Sequence, residues 1–77
     1  MVDLLTYLAR QLVDEPDAVS VETVERDDAV VLQLRVAAGD VGKVIGRQGR
    51  IARALRTLVR ASAGGHTDRR VLLEIVE

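Results

Sequence analysis

Asp40-Val41-Gly42-Lys43-Val44-Ile45-Gly46-Arg47-Gln48-Gly49-Arg50 is the stretch that decides how this chain folds. Asp40 can cap a short helical turn carrying Val41, Lys43, Val44 and Ile45, because a carboxylate accepts from the orphan amides of a first turn. Two glycines spaced three apart then interrupt the helix, and helical periodicity resumes at Arg50. Glycine has no Cβ, so such a junction can take positive φ angles and lets a polyanion approach the main chain. The helix that begins just beyond turns its unpaired amides and its positive dipole end toward the same place. Arg47 adds a charge-assisted donor, with Lys43 and Arg50 on either side. Groups of this kind suit a sugar–phosphate backbone, which positions a strand without reading it. Reading would fall to a neighbouring groove, where unstacked bases meet apolar side chains such as Ile45 and backbone groups of an adjacent strand.

The glycine spacing alone does not decide this. The chain has six glycines, and Gly39 and Gly42 repeat the same interval; an ordinary tight helix–helix turn would also explain it. The surroundings are more informative. Formal charge is only −1 over 77 residues, yet it is unevenly spread. Residues 1–40 sum to −6, residues 41–70 to +7, and residues 71–77 to −2. The glycine loop therefore lies in a strongly basic segment beside an acidic one, an asymmetry typical of nucleic-acid modules. Arginines that merely solvate an exposed helix would give the same count.

Outward from the loop, the flanks resolve into regular elements. Asp3 can cap a first helix over about residues 3–13, with Leu4, Leu5, Leu8, Leu12 and Val13 as its apolar stripe and Pro16 ending it. Val19, Val21 and Thr23 alternate with polar neighbours. After Arg26-Asp27-Asp28, a second alternation puts Val30, Leu32, Leu34 and Val36 on one face and Val31, Gln33 and Arg35 on the other. So short a polar link predicts an antiparallel hairpin. From Arg50 the pattern is helical, with Ile51, Leu55, Leu58, Val59 and Ser62 facing inward and Arg50, Arg53, Arg56, Thr57 and Arg60 facing elsewhere. Gly64 and Gly65 stop this helix, and Val71, Leu73 and Ile75 mark a last strand. The order is α-β-β-α-α-β, an α+β fold with helices layered on one small sheet, and residues 1–77 make a single domain.

Several classes are disfavoured. No cysteine is present, so disulfides and thiolate metal sites are excluded. His, Asp and Glu show no metal-ligand spacing. His66 sits in a glycine-bordered loop, Ser20 and Ser62 have no local triad context, and Gly42-Lys43 lacks the flanks of a Walker phosphate loop. Neither an enzyme nor a cofactor is expected. Apolar runs are too short to span a bilayer and no secretory signal is visible, which makes the cytoplasm the expected location.

On Val44-Ile45-Gly46-Arg47-Gln48-Gly49-Arg50 between two helices, the chain resembles KH domains, and its element order looks like the type II arrangement. It is similar, more closely, to the stand-alone bacterial KH proteins of the KhpA family. The matching stretches are Leu12-Val13-Asp14-Glu15-Pro16-Asp17-Ala18-Val19, residues 40–50, and Ala54-Leu55-Arg56-Thr57-Leu58-Val59. The resemblance implies that the third strand joins the hairpin in a mixed three-stranded sheet with helices packed on one face. It implies single-stranded RNA as ligand, with the loop on the backbone of about four nucleotides. The site it implies comprises Lys43, Ile45, Gly46, Arg47, Gln48, Gly49, Arg50 and Arg53. Expected partners are a second copy, or a larger KH-containing protein of the Jag (KhpB) type. Arg47 stands where several relatives carry lysine, which keeps the charge but offers a planar fork. The single aromatic, Tyr7, falls on the first helix, so aromatic stacking platforms worth ~1–3 kcal/mol per base are not expected, and binding should be weak and sequence-tolerant. The rival reading is a dimerisation module with little RNA contact, in which Val41, Val44 and Ile45 form the interface. Aspartates at both Gly46 and Gly49 are expected to abolish RNA binding and leave the fold intact.

Overall fold

The computed structural model describes residues 2–63 and 70–76. The first helix, α1, is Val2–Leu12, and a single 3₁₀ turn at Pro16–Ala18 leads into strand β1, Ser20–Glu25. Strand β2 is Ala29–Arg35. After a 3₁₀ turn at Ala38–Asp40 come the short helix α2, Val41–Ile45, and a tight turn at Arg47–Gly49. Helix α3, Arg50–Ala63, and strand β3, Arg70–Val76, complete the order. Asp3 lies inside the first turn of α1 instead of before it, where its carboxylate favours the dipole. The stop at Gly64 and Gly65 and the loop position of His66 lie outside the described residues.

The sheet runs β1-β2-β3, with β1 antiparallel and β3 parallel to β2. A parallel partner requires a crossover, and α2 and α3 supply it. The result is an α+β fold with a mixed three-stranded sheet. Pairing sets Val21 opposite Leu34 and Leu32 opposite Leu73, so the alternating apolar residues of all three strands share one face. That face packs with Leu5 and Ala9 of α1, Val44 of α2, and Leu55 and Val59 of α3 in one core.

The apolar stripes expected of α1 and α3 are wider than the buried faces observed, and Leu4 of α1 is 44% exposed. Leu58 is 45% exposed and Ser62 is exposed, because α1 covers only part of the α3 surface and Leu58 ends at the rim of the α1–α3 cleft. Ala52 takes a buried place on α3 that the larger apolar residues had obscured. Val31, on the sheet face opposite the helices, is only 1% exposed, being flanked in register by Val24 and Leu72. A central strand is shielded by its neighbours' side chains as well as by a second layer.

Candidate nucleic-acid interface

The junction between α2 and α3 is built from backbone that few residues adopt. Gly46 ends α2 with φ 76° and ψ 172°, a region open essentially only to glycine. A Cβ on Gly46 would lie 2.7 Å from Cγ1 of Ile51, so a side chain is excluded by space as well as by torsion. Gln48 is left-handed at φ 57°, and Gly49 follows at φ 73° with open space around its Cα. The amide of Gly46 donates to the Gly42 carbonyl at 2.9 Å, and that of Gly49 to the Gly46 carbonyl at 3.1 Å, which closes the turn on itself. Arg47 and Gln48 are exposed at its tip. Arg50 reaches back, its Nη2 donating to Gln48 Oε1 at 3.4 Å. The 14 residues of α3 begin at this point, so the positive end of a long helix faces the loop. Aspartate at Gly46 therefore conflicts with the fold itself, through both torsion and Ile51, which corrects the expectation that the aspartate pair would leave the fold intact.

Lys43 stands apart from this cationic group. Its Nζ donates to Asp14 Oδ2 at 2.6 Å and to Asp40 Oδ1 at 3.3 Å, so its charge is already balanced. Asp40 itself does not cap α2 through its side chain. Its carboxylate turns back across the chain, where Oδ2 accepts from the Glu15 amide at 3.0 Å. Burial alone would push this carboxyl up. The Glu15 and Asp14 amides and the Lys43 ammonium outweigh burial and hold it below its ordinary value. The hydrogen bonds from Lys43 to Asp14 and then Asp40 raise the ammonium above its own ordinary value.

Along α3, a second surface joins the loop. Arg56 and Arg60 line a cleft of about 310 Å³ with Val71, Leu72, Leu73 and Glu74 of β3. β3 is an edge strand of the described sheet, so its outer row of peptide groups faces away from β2. Arginines beside a strand edge, over Val71, Leu72, Leu73 and the carboxylate of Glu74, have the chemistry to donate to phosphates and to meet base edges. Arg53 lies one turn before Arg56 and lines a shallow open surface with Arg50, Ala54, Thr57 and Leu58. The Thr57 hydroxyl donates to the Arg53 carbonyl at 3.0 Å, so it is engaged with its own helix.

Of the residues expected at the site, Gly46, Arg47, Gln48, Gly49 and Arg50 form one continuous feature. Ile45 is 37% exposed immediately before it. Arg53 follows one turn into α3, and Lys43 is tied to Asp14 and Asp40. Of the three residues expected in the rival interface, Val44 is wholly buried, Val41 is half-buried against the core, and only Ile45 is exposed. The helical interval of Arg53, Arg56 and Arg60 is a sequence signal for the α3 surface, but only the packing of β3 gives it a facing wall. Nothing in the local sequence announces that Asp40 serves the turn after α1.

A family model described as the KH domain of KhpA/KhpB matches residues 2–75. Among curated proteins, the chain is 53% identical over 75 residues to RNA-binding protein KhpA of Treponema pallidum, covering 97% of this chain and 92% of that one. It is 47% identical over 76 residues to RNA-binding protein KhpA of Borreliella burgdorferi, covering 99% and 92%. The protein of the same name from Aquifex aeolicus is 49% identical over 75 residues, covering 97% and 94%. Fold, glycine loop and near-full-length identity agree, and the chain belongs to the KhpA/KhpB family of KH domains.

Proposed function

We propose that this chain binds single-stranded RNA, with the loop at residues 46–49 on the sugar–phosphate backbone and the α3–β3 cleft beside the bases. The observation that carries this reading is the positive-φ glycine turn at the head of α3, with Arg47 and Arg50 on it and Arg56 and Arg60 continuing along the helix. The relatives' shared name, RNA-binding protein KhpA, points the same way. Residues 1–77 act as one KH domain, without catalysis or cofactor, in the cytoplasm. Contacts dominated by phosphate make binding modest and sequence-tolerant.

Pairing with a second copy or with a Jag-type KH protein is a compatible second role. Exposed Leu4 and Leu58 border one apolar cleft between α1 and α3, and Tyr7, 61% exposed, lies a turn from Leu4. No residue of the loop lines that cleft, although its rim residue Leu58 also borders the Arg50–Arg53 surface, so pairing there would present two loops and raise avidity.

Fluorescence anisotropy of a short labelled single-stranded RNA at several salt concentrations tests the RNA reading. Affinity should fall with salt, and Arg47→Glu should weaken binding and reduce the log–log slope by about one unit. Arg56→Glu and Arg60→Glu should each do the same by about one unit or less. Wild-type affinity and slope in a folded Arg47→Glu protein would remove the loop from the mechanism.

A further inference from the structure

Helix α2 has five residues, too few to hold itself together, and only Val44 of them is fully buried in the core. It must nevertheless deliver Gly46 into a glycine-only conformation and carry the turn that follows. The second anchor is polar. Asp40 is 2% exposed, the one buried charged residue among those described. One of its oxygens accepts from the Glu15 amide, 25 positions earlier in the chain, and the other from Lys43, one turn into α2. Lys43 continues to Asp14 on the same turn after α1. One side of the network thus belongs to the α1–β1 connection, and the other belongs to α2 and the residue that opens it.

We propose that Asp40 and Lys43 are positioning residues for the RNA-binding loop: they latch α2 to the turn at Asp14 and Glu15 and hold residues 46–49 in the binding conformation. This rests on the RNA reading above. A positioning residue and a phosphate contact differ in what their loss does. Loss of the latch lowers the population of competent loop, so apparent affinity falls by that fraction. The competent form still makes the same phosphate contacts, and the salt slope stays the same. Loss of a direct contact lowers the slope by about one unit.

Asp40→Asn and Lys43→Met separate the two. Lys43→Met alters an exposed side chain, so it remains informative if Asp40→Asn unfolds. Both variants should bind the labelled RNA about five- to tenfold more weakly with the wild-type salt slope. In the RNA-free proteins, the backbone amide resonances of Gly46 and Gly49 should shift. A slope reduced by about one unit in Lys43→Met, with those resonances unmoved, would make Lys43 a phosphate ligand and overturn the proposal. Wild-type affinity in folded Asp40→Asn would overturn it also. If wild-type protein binds no RNA, the RNA reading fails by itself, and the glycine resonances of the free variants still decide whether the latch positions the loop.

Discussion

Gly46 concentrates the constraints of the site in a single residue. Its torsions suit glycine alone, and Ile51 fills the space a side chain would need. Gly49 shares a positive φ but has open space around it. Alanine at the two positions should therefore differ. Gly46→Ala should lower unfolding free energy by about 2–3 kcal/mol, torsional strain and steric conflict together. Gly49→Ala should cost about 1–2 kcal/mol from its left-handed torsion. Urea denaturation measures both, and an equal or larger loss at Gly49 would contradict the role of Ile51. The two glycines are legible in the sequence because glycine is the residue type such a turn demands. Asp40 is not, because an aspartate ahead of a helix has the same local signature whether it caps that helix or reaches elsewhere.

At the scale of elements, α2 is held by contacts outside its own sequence. The pH dependence of stability exposes the polar part of that hold. Asp40 has a folded pKa below its ordinary 3.8, so its contribution is fully present above that value and is lost as pH falls through the lower, folded one. Lys43 has a folded pKa above its ordinary 10.5, so its contribution is present below that value and is lost as pH rises through the folded one. Thermal midpoints of wild type should exceed those of Asp40→Asn at neutral pH, and the gap should narrow below pH 3.8. A gap that persists unchanged into strong acid would show that the charge is not what stabilises the latch. The strands and the hairpin are legible from period-two alternation, and α3 from its period of about 3.6. Periodicity identifies the inward stripe of α3 but not its width, which α1 sets by covering Leu55 and Val59 while leaving Leu58 at the rim.

For the whole molecule, the basic segment of the sequence places four arginines along one helix, α3. Arg56 and Arg60 of α3 border the cleft to β3, which Glu74 also lines, while Asp14 and Asp40 pair with the lysine of α2 and neutralise it. The mixed sheet is legible only through the resemblance to KH domains, while element order is legible from the succession of periodicities. The cleft is not, since it exists only where β3 returns parallel to β2 alongside α3. Amide chemical-shift mapping of ¹⁵N-labelled protein during titration with single-stranded RNA tests the central claim most directly. Perturbations should concentrate at residues 46–50, along Arg53, Arg56 and Arg60, and on β3 at Val71, Leu72 and Leu73. Perturbations confined to Leu4 and Tyr7 on α1, or none at all, would contradict it.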